Sequence, residues 1–184
     1  MNWSLAIPWA PPLAPEERAE ARWNAGAQDA LRLLTEATRI HPEITSFWGG
    51  PGSAPERLLD LPEPLLLERL HTVLRRFNGK CDCYVGSTSS ARWRWEGGWY
   101  WPSEAATGIQ STHQEYMPGH RLSWRNMVVL GAWPDAETAR LEPICISVAR
   151  SIASDRLKNK ATDARGLEIR RWCYSFVYVV STCT

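Results

Sequence analysis

The residues able to do covalent or metal chemistry are few and dispersed. Cys81 and Cys83 are the close pair among five cysteines. A single intervening residue is short for a structural zinc pair, which usually has about two to four between its thiolates. Cys145, Cys173 and Cys183 lie far from that pair. The four histidines, His41, His71, His113 and His120, form no HExxH or HxH spacing. A nucleophilic pair would need one of them to meet a cysteine or serine in space, and spacing selects no such partner. The sequence has no GxSxG. The glycine-rich stretch Gly49 to Gly52 does not lead a strand into a helix carrying Lys-Ser/Thr, as a phosphate cradle requires. The carboxylates are scattered singly. We therefore expect no catalytic residue, no metal and no cofactor, and a binding protein rather than an enzyme.

Binding chemistry is concentrated in "ARWRWEGGWYWPSE", Ala91 to Glu104, with four tryptophans and two arginines around Gly97-Gly98. A glycine pair between aromatic runs predicts a two-residue hairpin. Trp93, Trp95 and Tyr100 then share one face, which reads as core. Arg92, Arg94, Glu96, Trp99 and Trp101 share the other, with Arg94 placed to lie over Trp101. Such a segment serves as packing, as a protein-binding surface, or as a stacking platform for bases. The candidate partner-binding residues are Arg92, Arg94, Trp99 and Trp101, with Glu96 and Glu104 as rim charges.

The elements that must position this segment are read from periodicity. Trp23, Ala27, Leu31, Leu34 and Thr38 recur at helical offsets, which predicts a helix over about 15–40, opened by Pro15 and closed by His41-Pro42. A short helix at 55–60 and another at 63–77 follow. From Lys80 the pattern turns to strands: "CDCYVGS", the hairpin, 121–131, 143–150 and the closing "EIRRWCYSFVYVV". Residues 1–14 read as an extended arm and "DRLKNKATDARG" as a charged loop or frayed short helix. Helices before strands imply one α+β domain over 1–184, helical at about 15–78 and strand-rich at about 80–183, with N-terminal helices packed on a mainly antiparallel sheet.

The totals narrow the partners. A formal charge of +1 argues against broad capture of nucleic acid or anionic membrane. No apolar run reaches the length of a membrane span, and the apolar start lacks a basic leader region. An odd number of cysteines without small-scaffold spacing leads us to expect a cytoplasmic protein with free thiols serving as small buried hydrophobes.

Two stretches carry a family resemblance. Ala21 to Leu61 pairs an amphipathic helix bearing Leu31 and Leu34 with His41-Pro42, Trp48, Gly49-Gly50 and Leu58-Leu59. Arg125 to Pro134 is an Asn-bearing strand. Both resemble immunity protein family 52 of bacterial polymorphic toxin systems. The resemblance covers about a third of the chain. It implies an α+β cytoplasmic protein that binds a cognate secreted toxin, of nuclease type, and neutralises it sterically. The alternative from composition is a single-stranded nucleic-acid-binding domain using Trp and Arg stacking.

Overall fold

The computed structural model describes residues 14–47, 55–77, 80–100, 115–159 and 169–183, with backbone alone at 55–56, 98–100 and 115–118. Helix α1 spans Pro15–Ile40. Pro15 takes its first position, where a missing N–H costs nothing, and the Glu17 carboxylate accepts from the Ala14 N–H at 2.7 Å. Ala27, Ala30, Leu34 and Ala37 form its buried stripe, and the small alanines let the helix lie close on the sheet.

Strand β1 (Ile44–Ser46), a 3-10 turn (Pro55–Leu58) and helix α2 (Glu63–Arg76) follow. Next come β2 (Cys83–Thr88), α3 (Ala91–Glu96), β3 (Gly97–Tyr100) and β4 (Glu115–Pro118). A second 3-10 turn (His120–Leu122), β5 (Asn126–Pro134), α4 (Asp135–Ile152) and β6 (Tyr174–Ser181) complete the described elements.

The main sheet runs β1-β5-β6-β2, with β1 parallel to β5 and the other neighbours antiparallel. The fold is α+β, as expected. Every residue of β6 is buried, because helices cover both faces of this inner strand. Phe176, Tyr178 and Val180 face α1 and α3, whereas Val177 and Val179 face α2 and α4. Fully burying a side chain of this kind contributes roughly 1.5–3 kcal/mol. A register shift between Val129 and Gly131 turns the alternation of β5, so that Val129 and Ala132 both face α1.

The outer edge of β2 is closed by side chains and loop. Asn159 accepts from the Val85 N–H at 2.9 Å and donates to the Val85 carbonyl at 2.7 Å, as a strand neighbour would. Cys83 exchanges backbone bonds with Arg156 and Lys158. An edge so occupied offers less template for another strand.

Three expectations change. Residues 143–150 are not a strand but lie inside α4, where Thr138, Leu141, Cys145, Ile146 and Ala149 form the buried stripe. The strand expected at 121–131 starts later, at Asn126, because His120–Leu122 forms a 3-10 turn. The cysteines are not all free, since Cys81 and Cys183 form a disulfide with Cα atoms 5.5 Å apart. Antiparallel pairing of Cys83 with Ser181 brings the two thiols together. Cys83 and Cys145 are the buried free thiols. Among the described residues no helix is long and apolar enough to cross a membrane. The extended arm expected at the start lies almost wholly outside the described residues.

Candidate binding surface on the third helix

The segment read as a hairpin is a helix followed by a strand. Ser90 caps α3, its hydroxyl accepting from the Trp93 N–H at 3.3 Å. Gly97 ends the helix at φ 77°, a left-handed conformation that glycine adopts freely. The glycine pair therefore stops a helix rather than turning a hairpin. Strand β3 pairs antiparallel with β4, Gly97 opposite Pro118 and Tyr100 opposite Glu115, not with residues 92–96.

The change of period redistributes the side chains. Ala91 and Trp95, four apart, are buried against the sheet. Trp93, expected in the core beside Trp95, instead faces out and is 54% exposed, against 3% for Trp95. Trp99 is described by its backbone alone. Trp101 and Glu104 lie outside the described residues, and so does the expected stack of Arg94 on Trp101.

Two polar networks fix α3. The first joins it to the end of α1. His41 Nε2 donates to Glu96 Oε1 at 2.7 Å. Arg92 donates to the same oxygen at 3.1 Å and to Glu36 at 2.9 Å. His41 first, and then Arg92, hold the Glu96 carboxyl below its usual range. Arg92 and Glu96 therefore meet one another, as parts of an intramolecular clasp.

The second network lies under α3. Arg94 turns inward and donates from Nε to the Tyr178 hydroxyl at 3.3 Å, with Tyr84 also in hydrogen-bonding reach. His120 Nε2 meets the same Tyr178 hydroxyl at 2.8 Å. Burial, with the Arg94 charge added, pushes the His120 imidazole down to about 3, so the ring is neutral. A neutral ring accepts at Nε2 from the phenol, which accepts in turn from Arg94. Burial raises Tyr178. Near the sheet edge, the Ser87 hydroxyl donates to Glu142 at 2.6 Å. Burial lifts the Glu142 carboxyl above its usual range, against the opposing effects of Ser87 and Arg94.

The chemistry this arrangement supports is recognition by a fixed surface. An exposed indole stands on a helix whose neighbouring side chains are clamped. His120 is engaged by a phenol, not by a cysteine or serine. Burial pushes the Cys83 and Cys145 thiols up to about 11 and about 12, which keeps them protonated. Both lie on the opposite face of the sheet. No group of three His, Cys, Asp or Glu is placed to hold a metal among the described residues.

Sequence reasoning missed His41, Tyr84, His120, Glu142 and Tyr178. The partners of His41, Glu142, His120 and Tyr178 lie 55 or more residues away in the chain, and no local pattern encodes such pairing. The exposure of Trp93 was readable, since Ser90 and Gly97 bracket a six-residue helix that puts positions 91 and 95 together. Comparison with protein-family models, curated proteins and solved structures returned no match.

Proposed function

We propose that this chain is an immunity protein that binds a cognate secreted toxin domain, of nuclease type, and neutralises it by covering its working surface. The observation that supports this most is the exposed Trp93 on α3, held by the Arg92–Glu96–His41 clasp. Tight inhibition needs anchors that lose little freedom on binding, and tryptophan on a fixed support meets that need. The resemblance of Ala21–Leu61 and Arg125–Pro134 to immunity protein family 52 supplies the class of partner.

The test is co-expression with the product of the neighbouring gene, first assayed alone for toxicity. The protein should restore growth, and Trp93→Ala should weaken both protection and the measured affinity. Unchanged killing in the presence of folded protein would reject the reading. A second reading, binding of single-stranded nucleic acid, draws on the same pairing of tryptophan with arginine. It expects tryptophan quenching by oligonucleotides that fades steeply with salt.

A further inference from the structure

We propose that Trp172, with Arg22 and Arg171, forms a second contact point that takes a carboxylate-bearing, partly apolar segment of a partner protein. The proposal rests on the reading of this chain as a binding protein, but its site is separate from α3. Trp172 sits at φ 65°. That left-handed conformation is unfavourable for a bulky residue and persists only where surrounding structure enforces it. The turn packs closely on α1. A Cβ at Gly26 would fall 2.1 Å from the Trp172 carbonyl oxygen, so the turn closes only because residue 26 has no side chain.

The turn delivers an indole to a prepared place. Trp23 meets Trp172 edge-on, with centroids 4.8 Å apart, and Tyr174 supports Trp23 at 6.1 Å. Tyr174 is anchored in turn by donating to Asp60 at 2.9 Å. The guanidinium carbons of Arg171 and Arg22 lie 4.8 and 5.9 Å from the Trp172 ring centroid. Both arginines are exposed, and neither is ion-paired among the described residues. Arg92, Arg140 and Arg170, by contrast, each meet a carboxylate of this chain. Ile169, 62% exposed, lies three residues before Trp172.

Charge complementarity selects the partner. A guanidinium laid on an indole keeps its N–H fork free for a carboxylate. The indole edge and Ile169 suit an apolar neighbour of that carboxylate. A nucleic-acid strand would want a wider basic field than a chain of net charge +1 provides, whereas two guanidiniums suffice for a single carboxylate. Arg22 is about 20 Å along α1 from Glu36, which holds Arg92 of α3, by the 1.5 Å rise per residue. A protein partner of ordinary size spans both points.

The experiment titrates the full chain, followed by its indole N–H resonances, with three probes. These are a short capped peptide alternating Asp and Leu, the same peptide with Asn for Asp, and an oligothymidylate. The acidic peptide should shift the Trp172 and Trp23 signals. Its affinity should fall by roughly tenfold or more in the Arg22→Gln/Arg171→Gln variant and stay unchanged in Trp93→Ala. An unmoved Trp93 resonance checks that the double variant is folded. Equal response to the Asn peptide, a salt-sensitive response to the oligothymidylate alone, or no response up to millimolar peptide would each overturn the proposal. No toxin enters this titration, so its failure is distinct from a failure of the immunity reading, which shows in the co-expression assay.

Discussion

The two faces of the sheet are built from different materials. Against α2 and α4 the contacts are mainly aliphatic: Leu66, Leu70, Val73, Leu130, Leu141, Ile146, Val177 and Val179. Against α1 and α3 the same sheet presents Phe176, Tyr178 and Tyr84, and buries His120 and the inner part of Arg94 among them. The aliphatic face draws its stability mainly from area and close packing, which are themselves insensitive to pH, although the buried Glu142 lies at its edge. The aromatic face depends on hydrogen bonds that hold only while His120 is neutral and Tyr178 has both partners. One side is a foundation. The other trades some robustness for a helix held in a defined pose at the surface.

Acid should separate the two faces most clearly. The unfolded chain binds a proton on His120 near the ordinary value of 6.5, whereas the folded chain resists it down to about 3. Unfolding therefore takes up a proton in this window. Stability should fall as pH drops from about 6.5 towards 3, by up to about 1.4 kcal/mol per pH unit. Urea unfolding at a series of pH values checks this, and His120→Gln should flatten the dependence. An unflattened curve would assign the loss to other groups.

On the aliphatic face, Leu70→Ala should cost about 2–5 kcal/mol at every pH, by leaving a cavity among fully buried neighbours. A pH-dependent loss in that variant would break the distinction between the faces. Cys81→Ser should cost about 2–4 kcal/mol under oxidising conditions, since the bond closes a sequence separation of 102 residues. The same substitution should be nearly neutral in reductant, which thermal unfolding with and without a reducing agent will show.

Tyr178→Phe should cost about 1–3 kcal/mol, because it removes the hydroxyl shared by His120 and Arg94 and leaves both short of a partner. Hydrogen exchange should show faster opening in α3 than in α4. Trp93→Ala should change stability by no more than about 0.5 kcal/mol, as a side chain 54% exposed supports little of the core. A larger loss would mean that this indole is structural, and the proposed anchor on α3 would be lost.

The parts of the fold legible in the sequence are those with long, single-valued periodicity. Helix α1 carries its stripe over many turns and is bounded by Pro15 and His41-Pro42, so its limits at Pro15–Ile40 match the expectation. Helix α2 was readable for the same reason, and β6 in part: the strand expected from Glu168 begins only at Tyr174, after a turn at Arg171–Trp172. The failures are short or ambiguous. Ile144, Ile146 and Val148 alternate like a strand, yet Leu141, Cys145 and Ala149 repeat at four and belong to a helix that tolerates Pro143. In "ARWRWE" the Trp-Arg alternation fits period two, and six residues are too few for composition to outvote the cap at Ser90. The candidate site was legible only as a place. Arg92 and Glu96 were named, but their clasp with His41, and the inward turn of Arg94 towards Tyr178, depend on contacts between distant segments.

The carboxamide of Asn159 carries a consequence for crowded solutions. By occupying both the amide and the carbonyl of Val85, it fills the position from which a second molecule would begin to extend the sheet. On that flank the ribbon is finished from within, by a side chain borrowed from a loop. Replacing it with alanine would leave that docking slot vacant and invite slow, concentration-driven stacking of one copy upon the next.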